Sequence, residues 1–146
     1  MSIAVHHVAE RKGLRASVKA ASAETLLALG TFGLIAVHLV DDSFLQPEPG
    51  TGIVDHLGSG LVPLAVLAAA AVAYPRLRPG LRAALAVVLG IFGIVSGAVE
   101  PAYYGPKEGL SGDDFSGLVA AVAGLCLVIL GVVTAWRGRK QDQPLA

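Results

Sequence analysis

Charged residues are scarce in this sequence. Asp, Glu, Lys and Arg make up 15% of its 146 residues, against about 25% in ordinary soluble domains. The formal charges sum to zero, and 54% of the residues are hydrophobic. This balance excludes an ordinary soluble domain. It also argues against nucleic-acid binding, which requires a strongly basic surface.

Cysteine and catalytic motifs are also lacking. Cys126 is the single cysteine, so no disulfide framework is expected. The segments GLSGD (109–113) and GSGLV (58–62) both miss the spacing of a GxSxG nucleophile elbow. A P-loop, a dinucleotide-binding fingerprint and a CxxC pair are absent too. A soluble hydrolase is therefore not indicated, and we expect a protein without enzymatic activity more than an enzyme.

Long apolar runs stand where such motifs would be. Four runs of 16 to 22 residues contain no Asp, Glu, Lys or Arg: 25–40, 57–75, 83–99 and 115–136. A helix needs roughly 20 apolar residues to cross a bilayer, and lipid-exposed backbone must satisfy its own hydrogen bonds. The runs also lack the polar stripe of a soluble bundle. They predict an all-α, integral membrane four-helix transmembrane bundle, with spans at about 21–41, 55–75, 81–100 and 114–136.

The basic residues are distributed unevenly around these spans. Ten of the eleven Lys and Arg precede the first span, connect spans two and three, or follow the fourth, and only Lys107 lies elsewhere. By the positive-inside rule, both termini are cytoplasmic and the loops 41–56 and 100–114 lie outside. Abundant Ala, Gly and Val, with seven Arg to four Lys, indicate a bacterial chain. We expect a multi-pass protein of the bacterial plasma membrane.

These boundaries divide the chain into three parts. A basic cytoplasmic segment (1–20) precedes a four-span transmembrane domain (21–138), and a short cytoplasmic tail (139–146) follows it. Aromatic residues lie near the span ends, as expected of an interfacial belt. They are Tyr74 and Trp136 on the basic side, and Phe44, Tyr103, Tyr104 and Phe115 on the other.

Glycines recur within spans three and four. They are Gly90, Gly93 and Gly97 in span three, with one GxxxG pair, and Gly117, Gly124 and Gly131 in span four, at seven-residue spacing. Small residues let the backbones of membrane helices approach closely. The glycine-lined faces predict contact with a neighbouring helix of this chain, with a second copy, or with a membrane protein partner.

Ionisable residues cluster where the spans reach the outer side. His38 and Asp42 share a helix face, and the hairpin returns Asp55 and His56 to a similar depth, with Glu100 near the same level. These five residues are candidate ligands of a divalent metal such as Zn²⁺. They are equally candidates for a proton relay, because imidazole titrates near neutral pH. A haem held by both histidines is a weaker alternative, and no other cofactor is indicated.

A structural interpretation of the same residues is also open. Asp55 is placed to cap the N-terminus of span two. Ser111 to Asp114 matches a capping box at the start of span four. Asp41 and Asp42 can be solvated loop residues, and His38 can hydrogen-bond a neighbouring carboxylate without further function.

Several segments resemble a known type of membrane region. They are HLVDDSFLQPEPGT, DHLGSGLVPL, AYPRLRPGLRAAL and SGDDFSGLVA, and they resemble the N-terminal four-span region of certain actinobacterial α/β-hydrolase-type proteins over roughly residues 30–139. In that family a hydrolase domain follows the spans. Here the chain ends seven residues after Arg139 and offers no residue of a hydrolase triad. The resemblance therefore implies the membrane module alone.

Three functions follow from these observations. The first is a small integral membrane protein that acts as a membrane anchor, subunit or scaffold for a partner protein, for instance a separately encoded hydrolase. The second is a metal- or proton-binding, transporter- or sensor-like module that uses the outer His/Asp/Glu cluster. The third, a membrane-embedded enzyme, ranks last because the spans offer few polar groups to line a cavity.

Overall fold

The computed structural model describes residues 23–46, 52–103 and 112–141, and the regular structure in these ranges is helical. The helices are α1 (23–40, continuing through a π-helical turn, Asp41–Leu45), α2 (Leu57–Ala73, continuing through a 3₁₀ turn, Tyr74–Arg76), α3 (Pro79–Tyr103) and α4 (Gly112–Gln141). The predicted basic segment 1–20 and the last five residues lie outside the described residues.

Four helices are long and apolar enough to cross a membrane, which confirms the predicted all-helical fold. The candidate spans are Ala23–Leu45, Leu57–Arg76, Pro79–Val99 and Asp114–Lys140. The first extends past the acidic pair at 41 and 42, where the sequence alone predicts a loop. It does so because the backbone continues as a π-helical turn, in which the Gln46 N–H donates to the Asp41 carbonyl (2.8 Å).

Polar contacts at the two ends of the bundle show the relative directions of the helices. At one end, the Glu24 carboxylate of α1 lies 3.9 Å from the Arg82 guanidinium of α3. At the other end, His38 of α1 contacts Ser96 of α3 and Ser116 of α4. Consecutive helices therefore run in opposite directions. We call these two ends the Arg82 end and the His38 end.

The core of the bundle receives buried side chains from all four helices. Among the largest are Phe32 of α1, Leu67 of α2, Leu89 of α3 and Leu127 of α4. The ring of Phe32 meets that of Tyr74 edge to face, with centroids 5.7 Å apart. Large aliphatic side chains on the outer faces are exposed, as lipid-facing residues of a membrane bundle are.

Helices α3 and α4 meet along a line of small residues that we call the glycine seam. Its opposed pairs are Ala83 with Gly131, Gly90 with Gly124, and Gly97 with Gly117. A Cβ added at Gly90 would lie 2.6 Å from the Gly124 carbonyl oxygen, and one at Gly124 would lie 2.5 Å from the Gly90 carbonyl oxygen. The backbones are thus in direct contact, and the prediction that Gly124 faces another helix is confirmed.

Both sides of the seam repeat every seven residues. Residues 83, 90 and 97 of α3 pair in reverse order with residues 131, 124 and 117 of α4. A strict seven-residue repeat keeps one face of each helix toward its partner, as in a left-handed coiled coil. Gly93 does not belong to this face, because its nearest neighbour is Ile35 of α1, 2.6 Å from an added Cβ. In the GxxxG pair of α3, Gly97 therefore packs against α4, whereas the nearest neighbour of Gly93 is on α1.

Candidate functional site

His38 lies at the centre of the polar cluster at the His38 end. Its side chain is buried, with 2% of its surface exposed. Nδ1 lies 3.1 Å from the Ser116 hydroxyl of α4, and Nε2 lies 3.4 Å from the Ser96 carbonyl oxygen of α3. The imidazole therefore joins three helices. The ring packs against Gly117, where an added Cβ would lie 3.4 Å from His38 Cε1.

Asp41 extends this cluster by one more hydrogen bond. Its carboxylate is hydrogen-bonded by Ser116 and also accepts from Gln46 Nε2 (3.1 Å). Ser116 thus lies between the imidazole and the carboxylate. The π-helical turn that begins at Asp41 makes this arrangement possible, because it changes the direction of the side chains after His38. Turns of this kind are frequent at functional sites.

The chain of hydrogen bonds from Asp41 to Ser96 permits two proton arrangements. In the first, Ser116 donates to Asp41, and Nδ1 of His38 donates to Ser116. In the second, Ser116 donates to Nδ1, Nε2 donates to the Ser96 carbonyl, and Asp41 loses the Ser116 donor. Whether Nδ1 carries a hydrogen therefore decides which way the Ser116 hydroxyl points.

The other predicted ligands occupy different settings. Asp42 is half-buried in the π-helical turn. Asp55 is exposed, and its carboxylate accepts from the Gly52 N–H (2.8 Å). His56 is half-buried at the N-cap of α2. Glu100 lies in the last turn of α3, and its side chain lies outside the described residues.

The capping role predicted for Asp55 is wrong. The residue at the N-cap of α2 is His56, and no side chain there bonds the first amides of the helix. Asp55 lies one residue earlier, and its carboxylate accepts a hydrogen bond from the Gly52 amide of the same turn. Asp114, of the predicted capping box at the start of α4, is buried in the first turn of the helix, whereas Ser111 lies outside the described residues.

The structure brings His38 together with Ser116, Ser96 and Asp41 rather than with the other predicted ligands. Among the side chains that the structure describes, which do not include that of Glu100, no three of His, Cys, Asp or Glu converge as a metal site requires. A metal on His38 would also have to replace one of its two hydrogen bonds. The zinc site stays a prediction, and metal analysis of the purified protein is its direct test.

Sequence reasoning missed both serines. Ser96 lies inside the third apolar run, and Ser116 lies at the start of the fourth. Hydroxyl side chains in membrane helices commonly hydrogen-bond across to neighbouring helices, so their positions at one membrane depth with His38 are a usable signal. What the sequence does not reveal is the rotation of α3 and α4 that turns both residues toward the imidazole.

A second polar cluster lies at the Arg82 end. The hydroxyl of Tyr74 donates to the Glu24 carboxylate (3.4 Å), which pairs with the Arg82 guanidinium. Arg82 Nε also donates to the Leu77 carbonyl (2.8 Å). Tyr74 is fully buried, so its predicted place in a lipid-facing aromatic belt is wrong. The ring packs inward because Glu24 satisfies its hydroxyl inside the bundle.

No family model, curated protein or solved structure matches this chain. The resemblance to the membrane region of actinobacterial hydrolase-type proteins stays a prediction.

Proposed function

We propose that this chain is a multi-pass protein of the bacterial plasma membrane that acts as a membrane anchor, subunit or scaffold for a partner protein. The observation that carries the proposal is an unused glycine pair on α1. The five glycines of the seam are buried against backbone of this chain. Gly30 and Gly33 are exposed instead, and an added Cβ at either position meets nothing within 4 Å.

The position of this pair indicates how a partner helix would bind. Gly30 and Gly33 lie one turn apart on the outward face of α1, with the exposed side chains of Leu26 and Val37 on either side. Exposed glycine weakens a helix without a compensating contact in this chain. A partner helix would supply that contact, because small residues permit close backbone approach in lipid. The resemblance to hydrolase-type proteins makes a separately encoded hydrolase one such partner.

Photo-crosslinking in native membranes tests the partner proposal. A photoreactive residue at Leu34, next to the glycine pair, is compared with one at Val122, which is also exposed and lies on α4. We expect a discrete protein adduct from position 34 and only lipid adducts from position 122. Adding Gly33→Leu should abolish the adduct without lowering the thermal stability of the bundle. Lipid adducts alone at both positions would contradict the proposal.

The proposed orientation has both termini in the cytoplasm. It is supported by the ten Lys and Arg that precede span one, connect spans two and three, or follow span four. Reporter fusions after residue 146 and within 105–110 check it. We expect cytoplasm-type activity from the first and periplasm-type activity from the second, and the reverse pattern would overturn the orientation.

A proton-binding, sensor-like module is the second candidate function. It is favoured by the two proton arrangements of the Asp41–Ser116–His38 chain, which lies beside a π-helical turn. Nitrogen-15 NMR of the His38 ring reports its protonation directly. At a fixed pH, Ser116→Ala should change the doubly protonated fraction of the imidazole.

Ser96→Ala is the matched control for that experiment. It removes a hydroxyl that, within the described part of the chain, bonds to the Gly93 carbonyl of its own helix (3.4 Å), and it keeps the carbonyl that faces His38. The His38 ring should then behave as in the wild type. Identical spectra for the wild type and Ser116→Ala would remove the proton-binding candidate.

A further inference from the structure

A lateral groove runs between α3 and α4 beside the glycine seam, at the Arg82 end. Its volume is about 880 Å³, within the ~300–1,000 Å³ typical of small-molecule sites. Five of the residues that line it have little or no side chain. They are Gly80, Ala83, Ala84, Gly131 and Ala135.

The groove exists because the seam and its flank both use small residues. The backbones touch at Gly131, where an added Cβ would lie 2.7 Å from the Ala83 carbonyl oxygen. Beside this contact, the alanines are too short to fill the space between the helices. Val88 and Val132 form part of its walls and are largely exposed. The groove therefore opens sideways, toward the region that lipid chains occupy.

The end of the groove at Arg139, which we call its mouth, is basic. Arg139 is the one charged residue among the lining residues, and Trp136 stands beside it with 59% of its surface exposed. The ammonium of Lys140 lies 3.9 Å from the centroid of the Trp136 ring. Of the acidic side chains in the described residues, Glu24 is the one at this end, and it already pairs with Arg82. The mouth thus offers cationic groups at the depth where an anchored tryptophan meets lipid headgroups.

We propose that this groove binds one anionic phospholipid of the surrounding leaflet, with an acyl chain along the alanine and valine lining and its phosphate at Arg139. The apolar length from residue 139 to residue 131 is about 12 Å along the helix axis, enough for much of a chain. A cation near the membrane surface favours an anionic over a zwitterionic lipid about fivefold. The site is independent of the glycine pair on α1, which lies on another helix.

Fluorescence quenching tests the site, because Trp136 is the only tryptophan of the chain. The full chain is reconstituted in vesicles that contain either brominated phosphatidylglycerol or brominated phosphatidylcholine in an unlabelled background. We expect about fivefold tighter apparent binding of the brominated anionic lipid, read from the quenching of Trp136. Arg139→Gln should remove this preference. Arg137→Gln, which loses the same charge two residues away outside the lining, should keep it.

A second pair of variants tests the acyl-chain part of the groove. Ala84→Leu places a larger side chain in the groove from an exposed position of α3 and should lower quenching by both lipids. Ala69→Leu, exposed on α2, should not. Two results together would overturn the proposal, namely equal quenching by both lipids and the same quenching in Ala84→Leu as in the wild type. They would show only bulk lipid contact. Weak quenching of the wild type that rises with dilution of the protein would show that a second copy covers the groove, and would overturn it too.

Discussion

The two halves of this bundle are held together by opposite means. Helices α3 and α4 meet backbone to backbone, through glycines at which an added Cβ would strike a carbonyl oxygen. Helices α1 and α2 meet through aromatic rings, with the Phe32 ring against Tyr74 and the Phe44 ring over the bare backbone of Gly60. The same apolar composition therefore produces one interface in which two backbones touch and another that aromatic rings fill.

This difference has a physical cause. In lipid, helices gain little from burying apolar surface, because the lipid chains are equally apolar, so packing and interhelical hydrogen bonds decide association. The α3–α4 pair reaches close packing by removing side chains along a seven-residue repeat. The α1–α2 pair reaches it with aromatic rings and adds the Tyr74–Glu24 hydrogen bond at the Arg82 end. Substitutions should distinguish the two strategies.

The largest effect is expected from adding atoms to the seam. In Gly124→Leu, the first added carbon would lie 2.5 Å from the Gly90 carbonyl oxygen, and three more carbons must fit beyond it. Because backbone cannot move aside as a side chain does, we expect a loss of about 3 kcal/mol or more in the free energy of unfolding. Unfolding of the detergent-solubilised protein by SDS measures it.

Gly30→Leu is the control for this substitution. It adds the same atoms to α1, where nothing lies within 4 Å. Its free energy of unfolding should equal that of the wild type or exceed it by up to about 1 kcal/mol, since leucine favours a helix more than glycine does. A stable Gly124→Leu protein would show that α3 and α4 do not touch along the seam.

Removing atoms from the α1–α2 half should have the next largest effect. Phe32→Ala deletes a buried ring and its edge-to-face contact with Tyr74. Phe-to-Ala changes cost roughly 3–5 kcal/mol in soluble cores. We expect about 2 kcal/mol here, since the transfer from water contributes less in lipid. Phe115→Ala, at an exposed position, should change the same unfolding measurement little.

The polar cluster at the His38 end should contribute a smaller amount. His38→Leu removes the hydrogen bonds to Ser116 and to the Ser96 carbonyl in a buried site. We expect a loss of about 1–2 kcal/mol. His38→Gln keeps a donor and an acceptor and should cost less than half as much. Equal losses for the two variants would show that ring volume matters and hydrogen bonding does not.

The smallest effect is expected at the Arg82 end. Tyr74→Phe removes only a hydroxyl, whose hydrogen bond to Glu24 is long at 3.4 Å, and Glu24 keeps its contact with Arg82. We expect a loss of about 0.5–1 kcal/mol in SDS unfolding. A loss as large as that of Phe32→Ala would mean that this end depends on its polar contacts rather than on ring packing.

Much of the fold was predictable from the sequence. The four charge-free runs identify the helices, because apolar length is a sufficient signal for a membrane span. The seven-residue spacing of Gly117, Gly124 and Gly131 likewise identifies the packed face of α4. On α3 the glycines alone were misleading, since Gly93 faces α1 and the third seam position is Ala83. The repeat on α3 can be recognised only when it is known to pair with the repeat on α4.

The candidate site was less predictable. The two histidines and the carboxylates of 38–56 suggested that the first hairpin gathers its own ligands. In the structure the π-helical turn at Asp41 brings that carboxylate to Ser116 of α4. A single extra residue in one turn decides which side chains meet, and no local preference of Asp41–Leu45 reveals it. The burial of Tyr74 was missed for a similar reason, because its partner Glu24 lies 50 residues away.

An alanine scan of the glycines tests the contrast between the two halves most directly. One methyl group is added in turn at each seam glycine, namely Gly90, Gly97, Gly117, Gly124 and Gly131, and at Gly30 and Gly33 of α1, and SDS unfolding is measured for each. The seam positions should all lose stability, because the added Cβ meets backbone, while Gly30→Ala and Gly33→Ala should keep the stability of the wild type or raise it slightly. Equal losses at all seven positions, or none at the seam, would contradict the account.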